Sequence, residues 1–236
     1  MNRSTIRQNV LEHLREDPSN PVRWSVGEVN RYIDDGYQEV VERTGAVVDT
    51  TVLTAAGNNP YVTLPENTLY PIALKDVTTD MPIDPVHWKV IDNEDSQWVG
   101  RVTPTRPDLF APWGLFEIIL FPAYANESTV SLIHAIDPGP LASDSAEPDI
   151  PTQFHYSLVE YAIWRCMIKD ADQERLQRAQ MHFQHFEEKM GGVTRWTKDR
   201  NRGIFSAIYG ERLRGVDRNV AGVGRNRSQG GAHTRG

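Results

Sequence analysis

Apolar positions recur at three- and four-residue intervals from the start of the chain. Ile6, Val10, Leu11 and Leu14 share one face, which predicts a helix. It should stop before Asp17-Pro18, because proline disfavours helical backbone in the residue before it. A second helix follows. Ser25 and Glu28 have capping-box spacing, so the serine oxygen can satisfy a free N–H while the glutamate reaches back. Val26, Val29, Ile33, Tyr37 and Val40 form its apolar stripe, and Gly45 suits a left-handed stop.

From Val47 the period changes. TTVLTAAGNNPYVTLP reads as strand, turn and strand; LYPIALKDV, HWKVI, QWVGRV, LFEIILF and TVSLIHAI follow at short spacings. They predict about seven short strands in a small antiparallel sheet, sandwich or open barrel. Trp88, Trp98 and Trp113 are expected to plug its core. DPGPLASDSAEPDIP has the composition of a linker, and Pro151 then suits the first turn of a helix.

QFHYSLVEYAIWRCMI is apolar nearly all round, so it must be buried on several faces or pack on a neighbour as well. Asp170 can cap the next helix, where Leu176, Ala179, Phe183, Phe186 and Met190 make a helix–helix seam that Gly191-Gly192 should end. Beyond it, Ile204, Phe205, Ile208, Tyr209 and Leu213 form a short apolar face preceded by Trp196. So short a segment is marginal as a helix alone and needs something to bury against.

The predicted fold is α+β: a helical bundle of two N-terminal and two later helices, a small antiparallel β domain inserted in it, and an extended C-terminal arm. The expected boundaries are 1–46 for the first helices, 47–136 for the β domain, 137–151 for the linker, 152–193 for the helical hairpin and 194–236 for the arm.

Charge adds a second theme. From Thr194 onward ten basic residues face three acidic ones, a net of +7; the remainder has 15 basic against 29 acidic, a net of −14. An acidic body with a cationic arm implies different partners for each, or copies joined arm to body. Nucleic-acid binding by the arm is the alternative, opposed by the charge of the body. No apolar run approaches the roughly 20 residues that span a bilayer. The N-terminus lacks the apolar stretch of a secretory leader, and the single Cys166 leaves no intrachain disulfide, which fits assembly in a reducing cytosol.

Catalytic motifs are missing. There is no G-x-S-x-G elbow and no phosphate loop, and Cys166 lies in an apolar stretch that dulls a thiol. Asp92, Glu94 and Asp95 lack the mid-loop glycine of a calcium loop. His182 and His185 form HxxH, with His155 or Cys166 as conceivable third ligands, but nothing in the spacing requires a metal. Packed or solvated histidines, no cofactor and no enzymatic activity are the expectation.

Two stretches carry a resemblance: WSVGEVNRYIDDGYQEVVERTGAV near the start, and DIPTQFHYSLVEYAIWRCMIKDADQERLQRAQMHFQHFEEKM late in the chain. Across residues 24–193 the sequence resembles the head-to-tail adaptor, or connector, proteins of tailed bacteriophages. The resemblance implies a virion protein assembled in the bacterial cytoplasm, forming a twelve-subunit ring beneath the portal. The helical part would build the ring and the β part would face the tail nozzle or tube. Genomic DNA would pass without specific binding. It implies that the arm docks on the portal protein. The docking residues would then be Trp196, Arg200, Arg202, Ile204, Phe205, Ile208, Tyr209, Arg212, Leu213, Arg214, Arg218, Arg225 and Arg227. Phe154, Leu158, Tyr161, Trp164, Leu176, Phe183 and Phe186 would serve the ring interface or the bundle core.

Overall fold

Side-chain caps start the first two helices. Asn2 accepts from the Thr5 N–H to open α1 (Arg3–His13), and Ser25 accepts from the Glu28 N–H to open α2 (Val26–Thr44). Gly45 closes α2 at φ 58°, a left-handed conformation that glycine adopts without strain. The reciprocal half of the capping box is put to another use. The Glu28 carboxylate accepts from Lys169 Nζ at 2.7 and 2.9 Å and from the Tyr32 hydroxyl at 3.0 Å. The Lys169 bond holds that carboxyl below its ordinary pKa. The structure, a computed structural model, describes residues 1–169 and 173–209.

The later helices are α4 (His155–Lys169) and α5 (Gln173–Tyr209), with the short α3 (Trp88–Glu94) between strands. Helices α1, α2, α4 and α5 share one core, in which Ile6, Leu11, Ile33, Tyr37, Leu158 and Phe186 are fully or almost fully buried. Helix α4 lies in the middle of it. Segment 137–151 is tied down across these helices: Arg3 donates to the Leu141 carbonyl at 2.7 Å, Arg7 pairs with Asp144, and the Asp149 N–H donates to the Tyr37 hydroxyl. Leu141 and Ile150 are buried with the helical core.

The β region corrects the expected architecture. Nine strands are present among the described residues: β1 (Val48–Ala55), β2 (Tyr61–Thr63), β3 (Thr68–Asp76), β4 (Pro82–Pro85), β5 (Val102–Thr103), β6 (Leu109–Trp113), β7 (Glu117–Phe121), β8 (Ala123–Tyr124) and β9 (Ser128–Ile136). Seven of them form a sheet in the order β1-β9-β3-β4-β6-β7-β2. It curls until β1 approaches β2, making a nearly closed barrel. The fold is therefore five helices with a large barrel-like sheet, not a helical bundle carrying a small β insert. The sheet is also not wholly antiparallel, since β4 and β6, and separately β5 and β8, pair in parallel. The physical reason is the long β1–β9 ladder, eight residue pairs from Val48↔Ala135 to Ala55↔Ser128, with β3 on the other side of β9. These long strands build a sheet wide enough to enclose its own core of Leu74, Ile83, Phe110, Ile118, Leu120 and Leu132.

Three further expectations change. HWKVI is the helix α3, not a strand; the His87 ring caps the Lys89 N–H, and so short an apolar run fits either period. Trp88, Trp98 and Trp113 do not fill the barrel. They gather with Tyr61 at ring separations of 5.7–6.4 Å beside Ile91, Ala111 and Ile119, a cluster separate from the barrel core. Finally, Gly191-Gly192 does not end a helix, and the chain beyond it is no extended arm as far as Tyr209. Helix α5 runs through both glycines for 37 residues, about 55 Å. Gly192 marks a close approach, because a Cβ there would lie 3.3 Å from the Phe154 ring.

At Gly36 on α2 an added Cβ would lie 2.8 Å from Tyr161 Cδ1, and Tyr161 is only 7% exposed. Gly36→Val should lower the unfolding free energy by about 1–3 kcal/mol in a urea titration. Gly27→Ala, with nothing within 4 Å of the new carbon, should be neutral or slightly stabilising. Within the barrel, Asp76 is buried, yet its pKa lies below the usual carboxylate range. Burial pushes it up, but donation from the Tyr124 hydroxyl and from the Thr79 hydroxyl and N–H outweighs that. A depressed carboxyl stabilises the fold fully above its unfolded pKa of about 4, and the benefit is lost as pH falls through the folded value. Asp76→Asn should be less stable than wild type at pH 7, with the gap in urea midpoints narrowing as pH drops below about 4.

Candidate assembly surfaces

The predicted arm begins inside α5, and its first part is fastened to the chain's own body. The Trp196 ring lies 6.4 Å from that of Phe154 and packs, half-buried, against the helical core. One turn on, the Arg200 guanidinium sits 5.3 Å over the Trp196 ring and donates to the Ala46 carbonyl at 3.0 Å. Asn201 Nδ2 is 3.5 Å from the Tyr70 hydroxyl, and Tyr70 in turn donates to the Thr44 carbonyl at 3.4 Å. Ile204 rests on the sheet patch of Ile72, Ala73 and Ala135. A glycine is required at position 45: a Cβ there would overlap the Tyr70 hydroxyl at 2.0 Å. The second half of α5 thus bridges the helical core and the sheet at the end of α2.

The other expected docking residues divide. Arg202 is exposed on α5. Phe205, Ile208 and Tyr209 belong to the last turns of that helix. Arg212, Leu213, Arg214, Arg218, Arg225 and Arg227 lie outside the described residues. Trp196, Arg200 and Ile204 come together at one junction.

The residues expected at a ring interface or bundle core lie along the α4–α5 hairpin. Leu158, Tyr161 and Phe186 are buried; Phe154, Trp164 and Phe183 are partly buried against the same core. Trp164 and Phe183 lie with ring centroids 4.7 Å apart. Leu176 is 42% exposed and Met181, further along α5, 56%. Tyr156 at the other end of the hairpin is also open to solvent.

Sequence reasoning missed two features. Leu115 and Phe116 form the turn between β6 and β7 and are 81% and 55% exposed. The readable signal was an apolar pair directly after Gly114, which takes φ 64°. The second is Glu160 on α4, facing His182 and His185 on α5. His182 Nδ1 is 2.7 Å from Glu160 Oε2, and Lys189 Nζ is 3.3 Å from Oε1. These neighbours, with the His182 bond strongest, hold the Glu160 carboxyl below its ordinary pKa despite burial pushing it up. The conceivable alternative ligands are engaged elsewhere. His155 Nε2 bonds to the Ile150 carbonyl at 2.8 Å, and Cys166 is buried in the helical core. The acidic turn at 92–95 closes α3, where Asp95 accepts from Gln97 N–H and pairs with Arg101.

Exposed apolar side chains lie at a strand turn and along a helical hairpin, and positive charge is segregated toward the C-terminal end of the sequence. The family described as SU10 adaptor protein matches residues 1–208, and the chain belongs to it. This is a family of phage head-to-tail adaptors, so the chain is a structural adaptor protein of a phage and a component of the virion. Comparison with curated proteins gives no match. Among the described residues no helix is long and apolar enough to cross a membrane.

The junction gives a direct test. Trp196→Ala should cost about 1–3 kcal/mol, less than for a fully buried tryptophan because the ring is only partly buried. Hydrogen exchange should quicken in 194–204 while 155–166 stays protected.

Proposed function

We propose that this adaptor forms a ring, of twelve copies, beneath the portal, joins the portal to the tail nozzle or tube, and continues the channel through which DNA passes. The family match over residues 1–208 carries this reading. Charge supports it. A body of net −14 lining a conduit repels DNA phosphates and keeps them from sticking, while the +7 segment can pair with acidic surface on a partner. A ring needs two different complementary surfaces per subunit, and the exposed residues of the α4–α5 hairpin can supply one of them. The apolar Leu115–Phe116 turn fits a contact toward the tail.

Docking on the portal is assigned to the C-terminal end. Trp196, Arg200 and Ile204 pack on the body, so the part of the segment from Phe205 onward is the part assigned to the portal contact. The 27 residues after Tyr209 could reach at most about 90–97 Å if fully extended. Exposed ion pairs contribute only ~0–1 kcal/mol each, so apolar groups such as Phe205, Ile208, Tyr209 and Leu213 should dominate affinity.

Deleting residues 205–236 should leave a folded body that no longer co-sediments with purified portal protein. Electron micrographs of the full chain with portal should show twelve-fold rings. If the shortened chain joins portal as well as the full one, the docking role is wrong. DNA binding by the arm is the competing reading. It predicts an affinity falling linearly on a log–log salt plot and lost with the same deletion.

A further inference from the structure

We propose that Glu160, His182 and His185 form a binding site for a divalent transition-metal ion of the zinc class, clipping α5 to α4. The HxxH spacing alone supplies two nitrogens on one helical face and gives no reason to expect a metal. The fold adds what was lacking. One ligand atom from each of Glu160, His182 and His185 lies within 4.8 Å of the other two. Glu160 Oε2 is 2.7 Å from His182 Nδ1 and 3.9 Å from His185 Nδ1. Bonds of about 2.0–2.2 Å in a tetrahedron put ligand atoms roughly 3.4 Å apart, so the observed triangle brackets that separation. Small side-chain rotations on two packed helices would close it.

The surroundings suit an ion held at the edge of a core. The side chains of His182 and Glu160 are 13% and 18% exposed, which fixes them, and His185 at 49% leaves a path from solvent. The His13 ring from α1 packs edge-on against His182 at 4.8 Å and limits its rotation. Lys189 Nζ, 3.3 Å from Glu160 Oε1, occupies one carboxylate oxygen, and the ion would take the place of the proton shared between Oε2 and His182 Nδ1, 2.7 Å apart. Its positive charge also opposes the ion, so Lys189 should weaken binding without preventing it; its side chain is 36% exposed and can swing away. Two imidazoles and one carboxylate are a ligand set for zinc, with water filling the fourth position. The ion would carry no reaction here. It would join α4 to α5 across the hairpin.

The test uses the full chain after treatment with a chelator, titrated calorimetrically with zinc chloride. One site per chain with a micromolar dissociation constant is expected. His182→Gln and His185→Gln should each weaken it tenfold or more, while Lys189→Met should tighten it. Cobalt(II) should give visible d–d bands without the near-ultraviolet charge transfer of a thiolate. Melting curves without metal check that each variant is folded; His185, half-exposed, is the safest. Failure of the wild-type chain to bind zinc below millimolar concentration overturns the site. So does unchanged binding in the His182→Gln/His185→Gln double variant, or a thiolate band implicating Cys166. None of these outcomes depends on ring formation or on portal docking.

Discussion

Helix α4 has almost no face that can be left in water, and much of the molecule is arranged to answer that. His155, Leu158, Val159, Tyr161, Ala162, Ile163 and Cys166 are all buried, so partners are needed around most of its circumference. α1, α2 and α5 provide them, and segment 137–151 is tied to α1 and α2 with Leu141 and Ile150 turned into the same core. The close approach at Gly36, the bonds of Arg3 and Arg7 to the 141–144 stretch and the Lys169–Glu28 pair all serve to hold this enclosure. Burial of this kind is non-directional and scales with area, so local polar bonds are what select one arrangement of the helices.

Helices with strong local signals were legible in the sequence. Ser25 and Gly45 delimit α2 as expected, and the apolar circumference of QFHYSLVEYAIWRCMI foretold its central place. The barrel was not legible as a barrel. Alternation shows that a strand exists but not which strand it pairs with, and the β4–β6 parallel pair depends on an excursion through α3. The glycine pair at 191–192 misled for a related reason. Glycine lowers helix propensity by only about 1 kcal/mol, and buried Met190, Val193 and Thr197 outweigh that. Once α5 continues, the apolar face at Trp196 and Ile204 meets the chain's own surface.

The site residues follow the same division. His182 and His185 are visible as a spacing because they lie on one helix. Glu160 is 22 positions earlier, and only the antiparallel return of the hairpin brings it opposite them. The exposed Leu115–Phe116 turn could have been suspected, since apolar residues at a strand reversal gain nothing there unless something covers them. The charge division between body and C-terminal end was fully readable, because it needs no knowledge of the fold. The family resemblance rested on the two helical stretches, which are also the parts whose structure local sequence specifies best.

The continuity of α5 has a mechanical consequence. An unbroken ladder of main-chain hydrogen bonds contains no hinge, so a pull or twist applied near its last turn travels along the whole rod. That rod is riveted to the barrel through Ile204 and to the helical layer through Trp196, Phe186 and Ala179. A load at its tip is therefore shared between the helical core and the sheet patch of Ile72, Ala73 and Ala135. A chain wired in this way behaves as a stiff strut, able to carry stress from one end of the rod to the other with little change of shape.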